Sequence, residues 1–202
     1  MMGKKRAKVI KAALISSLVA SSISSSVVLA DGHGNTAQVT HLEVMTMEAR
    51  AKTKELGMAL KKVLKQELSA NGLESAVQVC NVKAPLIADQ TSKDGWSVSR
   101  TALKVRNSDN APDAWETEVL ERFEQKLSAG ADPKTLDEAT IKDGKFRYMK
   151  AIPTGQVCLA CHGSSVQPEL NDHIQTLYPK DQATGFELGQ LRGAFSLTKS
   201  AN

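Results

Sequence analysis

The N-terminal half of the chain carries apolar residues at a helical spacing. Between residues 35 and 70 they recur every three or four positions among charged residues, which predicts one long helix. Asn71-Gly72 ends this pattern, because a glycine just after the last periodic residue is a common helix stop. A second apolar stripe over residues 74–90 predicts a second helix, and Cys80 lies on that stripe.

Shorter patterns in the rest of the chain predict strands and one more helix. The predicted strands cover residues 96–100, 103–106, 140–142, 146–150 and 189–198. Asp143-Gly144 predicts a hairpin, since both residues accept the positive φ of a tight turn. Pro112 and Gly130 bracket a predicted helix over residues 113–129. The order of these elements predicts an α+β fold with its core over residues 73–199.

The first thirty residues have the composition of an export signal. A basic start precedes an apolar run diluted by seven serines, and Val28 and Ala30 fit the small-residue cleavage rule. Cleavage after Ala30 would leave a single domain, residues 31–202, as a soluble periplasmic protein without a stable membrane span. The alternative is an uncleaved anchor, which the serines disfavour because they weaken insertion as a spanning helix.

Removal of that segment changes the net charge. The chain has 26 basic and 22 acidic residues, and five of the basic ones lie in residues 1–30, which contain no acidic residue. The remaining 21 basic and 22 acidic residues give a net charge of −1. No basic field then attracts nucleic acid, and an aromatic content of 4% argues against a base-stacking surface. We therefore expect no nucleic-acid partner.

The clearest chemical motif is Cys158-Leu159-Ala160-Cys161-His162. This C-x-x-C-H spacing is the attachment signature of haem c. Two thiols about one helical turn apart can both add to the vinyl groups of one haem, and the adjoining imidazole can then reach the iron. The motif predicts a cytochrome c-like protein with one covalent haem on Cys158 and Cys161 and with His162 as an axial ligand of the iron. Export fits this prediction, since haem c is attached after export.

Three other interpretations of the cysteines remain open at this stage. A thioredoxin-like redox pair would require a strand before the motif and a long helix after it. A zinc site could combine Cys80, Cys158 and Cys161 with a histidine. A disulfide within C-x-x-C would be small and strained. Cys80 itself is either an iron ligand or an inert core thiol, because free cysteines are often buried.

Other residues could contact a haem. Candidates for the second axial position besides Cys80 are His173, expected in a surface loop, Met149, expected in the core, and His33 and His41 near the mature N-terminus. Arg100, Arg106 and Arg147 could pair with the haem propionates, because a guanidinium matches carboxylate geometry.

Over residues 40–198 the chain resembles a family of single-haem c-type proteins with a PAS-like fold. The matching stretches are Val79-Cys80-Asn81, Arg106-Asn107, Ala111-Pro112-Asp113, Phe146-Arg147-Tyr148, the C-x-x-C-H motif, Tyr178-Pro179 and Gly189-x-x-Arg192-Gly193. The resemblance implies a PAS-like antiparallel sheet, a long N-terminal helix and haem c packed against the domain. It also implies that His162 and a Cys80 thiolate are the two axial ligands, which would account for all three cysteines.

These expectations favour a non-enzymatic role. An iron with two protein ligands has no free position for a substrate, and an anionic thiolate favours the ferric state. We expect a redox or small-ligand sensor or a low-potential electron-transfer protein that acts on an unknown redox or signalling partner. The alternatives are a peroxidase-like or reductase-like haem enzyme and a zinc-stabilised binding module. The long charged helix could also form a homodimer.

Overall fold

The computed structural model describes the backbone of residues 33–201 and the side chains from residue 41 onward. The predicted signal segment, residues 1–30, lies outside the described residues. The helices are α1 (His33–Gln78), α2 (Ala84–Thr91), α3 (Ala114–Ser128), α4 (Leu159–His162) and α5 (Pro168–Leu177), and the strands are β1 (Ser97–Thr101), β2 (Asp137–Lys142), β3 (Lys145–Pro153) and β4 (Leu191–Ser200). A π-helical turn, Val79–Lys83, joins α1 to α2.

The four strands form one antiparallel sheet in the order β1-β4-β3-β2. The predicted hairpin is confirmed: Asp143 and Gly144 join β2 to β3 with φ values of 53° and 69°. These values belong to the turn that matches the twist of paired strands, which explains the Asp-Gly sequence. The prediction of an α+β fold is confirmed, with a long N-terminal helix and a four-stranded sheet.

Helices cover both faces of the sheet. Phe146 and Tyr148 of β3 pack with α1, where Leu56 is fully buried. Met149 and Ala151 lie on the opposite face and pack with α3. Because side chains alternate along a strand, β3 contributes to both hydrophobic clusters and forms the centre of the core.

The predicted ends of the first and third helices are confirmed. Gly72 interrupts α1 with a φ of 80° and a ψ of −170°, so the helical path bends there before it continues to Gln78. Asp113 caps α3: its carboxylate accepts a hydrogen bond from the Glu116 backbone N–H, and the Glu116 side chain accepts one from the Asp113 N–H.

Three parts of the fold differ from the sequence prediction. The predicted second helix, residues 74–90, is not one regular helix, because α1 continues to Gln78 and the π-helical turn Val79–Lys83 separates it from α2. Residues 103–106 do not form a strand: the backbone bends there, and the Val105 carbonyl accepts a hydrogen bond from Gln182 N–H, which belongs to no strand. Helix α5 was not predicted; its buried residues Leu170 and Ile174 pack against Val77 near the end of α1. Within residues 33–201, no helix combines the length and the apolar character that a membrane crossing requires.

Candidate functional site

The C-x-x-C-H motif forms a compact turn. Cys158 ends a 3₁₀ turn, and Cys161 and His162 lie in the four-residue helix α4. All three cysteines of the chain are free thiols and are half-buried. Cys158 and Cys161 are three positions apart, a spacing that places two residues on the same side of a helical turn. We refer to residues 158–162 as the motif turn.

The imidazole of His162 is held by one strong hydrogen bond. Its Nδ1 lies 2.7 Å from the carbonyl oxygen of Ala183, and since a carbonyl can only accept, Nδ1 carries the proton. Burial, reinforced by the positive charges of Arg192 and Arg106, lowers the pKa of His162 to about 3. The ring is therefore neutral at pH 7, and the lone pair of its Nε2 is available to a metal.

Backbone hydrogen bonds from the segment after α5 also hold the motif turn. Phe186 N–H donates to the His162 carbonyl at 2.9 Å, and Gly185 N–H donates to the Gly163 carbonyl at 3.0 Å. The Phe186 ring also meets the His162 ring edge-on, with 6.3 Å between centroids. The segment after α5 therefore supplies both the acceptor for Nδ1 and one wall of the histidine pocket.

Cys80 approaches the motif turn from the junction of α1 and α2. It lies in the π-helical turn Val79–Lys83, a type of irregularity that is frequent at functional sites. Val77, three residues before Cys80, lies in a hydrophobic cluster with residues of α5, and Cys161 packs against the same cluster. The π-helical turn and the motif turn are therefore neighbours. Burial is the main cause that raises the pKa of Cys161, and the positive charge of Arg106 opposes it.

Arg106 is buried beside the motif turn. Its Nη2 lies 3.0 Å from Asp181 Oδ2, and the two side chains are 7% and 0% exposed. The same nitrogen donates to the carbonyls of Cys161 at 2.6 Å and Ala183 at 3.3 Å. Sequence analysis placed Arg106 at the site, but as a propionate contact; in the structure its hydrogen bonds go to Asp181 and to the backbone.

Arg192 is the site residue that sequence analysis did not select. Within the described residues its buried Nε has no hydrogen-bond partner, and its Nη1 donates to the Lys104 carbonyl at 3.3 Å. Its guanidinium lies 5.3 Å from the centroid of the Phe186 ring. Burial, together with the charges of Arg106 and Arg100, lowers the pKa of Arg192 to about 10. The only available signal was its place in the Arg192-Gly193 stretch of the family resemblance.

Arg147, the third predicted propionate contact, is engaged elsewhere. Its Nη2 lies 2.6 Å from Asp113 Oδ2 and 3.6 Å from Glu116 Oε1, and its guanidinium stacks 4.4 Å from the centroid of the Trp115 ring. These contacts attach β3 to the start of α3. None of them joins Arg147 to the motif turn, so the structure does not bring this predicted residue to the site.

The residues predicted as alternatives to Cys80 for the second axial position lie in different parts of the structure. Met149 is fully buried in the cluster with α3, as expected of a core methionine. His173 lies on α5, not in a surface loop, and its buried Nε2 has no partner among the described residues. His41 is exposed, and the side chain of His33 lies outside the described residues.

The alternative interpretations of the cysteines gain no support. In the described part of the chain, no three His, Cys, Asp or Glu side chains are grouped so that they could hold a metal ion, as the zinc site required. The motif turn follows a 3₁₀ turn and ends after four helical residues, whereas a thioredoxin-like pair would begin a long helix.

The fold and the site define an α+β protein with a single C-x-x-C-H turn beside a third free cysteine. The Tll0287-like family model matches residues 10–200, so the chain belongs to the Tll0287-like family. A similar solved structure is the crystal structure of the cyanobacterial heme-protein Tll0287, with 23% identity and a TM-score of 0.54. The match covers 85% of this chain and 97% of that one, and it shows a shared fold. No curated protein matches the chain.

Proposed function

We propose that this protein is an exported c-type haem protein that carries one haem on Cys158 and Cys161. His162 is one axial ligand of the iron, and Cys80 is the other. The observation that carries the proposal is the hydrogen bond from His162 Nδ1 to the Ala183 carbonyl at 2.7 Å. This bond fixes the tautomer in which Nε2 can bind iron, as in many histidine-ligated metal sites.

The chemistry of the surrounding residues fits a haem. Two free thiols flank one helical turn, and the neutral imidazole follows them directly. The segments that carry the cysteines also expose apolar side chains, namely Val82, Leu86 and Val157. A flat, largely apolar group would cover such side chains. The structurally similar cyanobacterial protein is a heme-protein, which supports this proposal.

Arg192 is the best candidate to bind a haem propionate, and Arg100, a half-buried residue of β1 whose charge acts on Arg192, is the second. Among the described residues Arg192 Nε is buried without a partner, and a buried cation requires an anion or hydrogen-bond acceptors to offset its loss of hydration. Asp181 already pairs with Arg106, and its charge only partly offsets the burial of Arg192, whose pKa stays lowered. Two propionate carboxylates would supply that compensation through the bidentate geometry that guanidinium favours.

The proposed ligand pair favours electron transfer or sensing over catalysis. When bound, haem supplies an iron centre that accepts or releases one electron. His162 and Cys80 would occupy both axial positions, so the protein offers no permanently open position for a substrate. The negative charge of a Cys80 thiolate stabilises ferric iron, which gives a low reduction potential. The physiological partner is then a redox or signalling protein.

Export is part of the proposal, because haem c is attached outside the cytoplasm. The basic residues before the apolar run and the small residues Val28 and Ala30 support cleavage before Asp31. The expected mature protein is soluble and periplasmic. N-terminal sequencing of the purified protein should therefore begin at Asp31, and retention of residues 1–30 would instead indicate an anchored protein.

The function is tested by spectroscopy of the protein purified from a host that matures c-type cytochromes. A pyridine haemochrome spectrum should be that of a c-type haem, at one haem per chain. The ferric protein should be low-spin and six-coordinate, with thiolate–imidazole character in its electron paramagnetic resonance. A colourless protein, or one that contains zinc, would refute the proposal. Carbon monoxide binding to the reduced form would favour a sensor, and its exclusion would favour an electron carrier.

A further inference from the structure

We infer that Arg106 and Asp181 are positioning residues that hold His162 and the motif turn through backbone carbonyls. The inference rests on the proposed function, since it concerns how an axial histidine is held and tuned. Three segments distant in sequence meet in this network. Arg106 follows β1, Cys161 and His162 lie in α4, and Asp181 follows α5.

The hydrogen bonds form a closed chain. Arg106 Nε donates to Asp181 Oδ2 at 3.1 Å, and Asp181 Oδ1 accepts from Ala183 N–H at 2.8 Å. The carbonyl of the same alanine accepts from His162 Nδ1 at 2.7 Å and from Arg106 Nη2 at 3.3 Å. Arg106 Nη2 also donates to the Cys161 carbonyl at 2.6 Å. Asp181 thus fixes Ala183, and Ala183 fixes the imidazole.

Burial distinguishes this ion pair from the other ion pairs among the described side chains. Arg106 and Asp181 are 7% and 0% exposed, whereas Arg122 and Glu138 are 39% and 29% exposed. A buried pair contributes little net stability, because both charges lose their hydration. Its geometric role is more specific: Arg106 binds two backbone carbonyls of the site at once, which a well-packed apolar residue could not do.

The network also sets two charges of opposite sign beside His162. The carboxylate of Asp181 favours the ferric state of a nearby iron, and the guanidinium of Arg106 favours the ferrous state. Arg106 also shares the carbonyl that accepts from Nδ1, so it draws electron density away from the imidazole. Removal of either partner should therefore shift the reduction potential, and the two shifts should have opposite signs.

The test is the reduction potential of the haem-loaded full chain at pH 8. Asp181→Asn should raise the potential and Arg106→Gln should lower it, each by about a tenfold change in the redox equilibrium constant, or about 59 mV for one electron. The double variant should return most of the way to the wild-type value. Glu138→Gln and Arg122→Gln are matched controls on a half-buried pair of α3 and β2 and should leave the potential unchanged.

Shifts of the same sign would overturn the inference, because simple loosening of the site moves both variants in one direction. Unchanged potentials in both variants would overturn it as well. If Arg106→Gln fails to fold, Asp181→Asn alone still tests the predicted direction, and a potential at or below the wild-type value refutes it.

A second measurement separates this inference from the proposed function. Nitrogen-15 NMR of the full chain isolated without haem reports the tautomer of His162. The wild type should carry its proton on Nδ1, and Asp181→Ala should raise the population with the proton on Nε2. If the chain never acquires haem but shows this change, the proposed function fails and the positioning role stands. If haem is attached in the loaded protein but Asp181→Ala leaves the tautomer population of His162 unchanged in the haem-free chain, the positioning role fails.

Discussion

A single added methyl group at Gly163 tests the geometry of the motif turn. Gly163 follows His162 with φ −74° and ψ −178°, a conformation that any residue adopts, so the obstacle to a side chain is space. A Cβ at this position would lie 2.6 Å from the Leu159 carbonyl oxygen. That oxygen accepts the hydrogen bond from Gly163 N–H at 2.9 Å and helps to close α4.

The cost of Gly163→Ala follows from these contacts. The Leu159 carbonyl or Gly163 must move, because a Cβ does not lie 2.6 Å from a backbone oxygen, and this movement weakens a hydrogen bond worth about 1 kcal/mol. Overpacking of a tight site adds about 1–3 kcal/mol. Reduced freedom of the unfolded chain offsets about 0.4–1 kcal/mol of this. We expect the free energy of unfolding to fall by about 2 kcal/mol.

Urea unfolding of the haem-free full chain measures this change, and Gly155→Ala is the matched control. Gly155 also precedes Cys158 closely, but a Cβ there would meet only the Cys158 Sγ at 3.8 Å, an ordinary contact. Its free energy of unfolding should stay within about 0.5 kcal/mol of the wild type. Gly163→Ala should also lower the fraction of chains that acquire haem. Equal stability of the two variants would refute the described turn.

Three further predictions concern other parts of the molecule. Burial raises the pKa of Asp137, but hydrogen bonds from Arg50 and Tyr148 lower it overall, so its stabilising effect is present at neutral pH and is lost as pH falls through the folded-state value. Asp137→Asn should therefore lower the free energy of unfolding by about 1 kcal/mol at pH 7 in urea titrations, and by less at each lower pH down to pH 2. A difference between variant and wild type that does not change with pH would contradict this prediction. Gly193→Ala should abolish folding or lower the free energy of unfolding by more than about 3 kcal/mol, measured by thermal unfolding. The reason is that φ of Gly193 is 154° and an added Cβ would lie 2.4 Å from the Thr101 carbonyl oxygen. A variant as stable as the wild type would contradict the register of β1 and β4. Cys80→Ala should raise the reduction potential of the loaded protein and open the ferric iron to azide; an unchanged spectrum would exclude Cys80 as ligand.

Local sequence signals predicted the parts of the fold that local physics determines. The hairpin depends on two residues that tolerate positive φ, and Asp143-Gly144 supplies both. The start of α3 depends on a reciprocal cap between Asp113 and Glu116, three residues apart. The stop at Gly72 is equally local. Each of these features is settled within a few residues of the chain, so the sequence pattern was sufficient.

The features that sequence analysis missed depend on contacts between distant segments. The Val105 carbonyl bonds to Gln182 N–H, a pairing that no periodicity indicates, so an alternating segment turned out not to be a strand. The same cause explains the arginines. The sequence predicts the same role, contact with a haem propionate, for three arginines. In the structure, Arg147 contacts Asp113, whereas Arg106 contacts Asp181. The partner of a charged side chain is determined by the fold.

The sequence indicated the motif turn through the spacing of its cysteines and histidine. The spacing of Cys158, Cys161 and His162 carries its own chemical reason, and the structure adds the Ala183 carbonyl that orients the imidazole. The π-helical turn that carries Cys80 was not predictable, because the apolar stripe through it is compatible with a regular helix. Its position near the motif turn is a result of the way α1, α2 and α5 pack.

The most direct test of covalent haem attachment is denaturing mass spectrometry of the full chain made in a host that matures c-type cytochromes. The unfolded wild-type chain should retain the mass of one haem after extraction with acid and acetone. A variant with both Cys158→Ala and Cys161→Ala should lose the haem in the same extraction, and Cys80→Ala should keep it. A wild-type chain that carries no haem, or that releases it on extraction, would contradict the central claim.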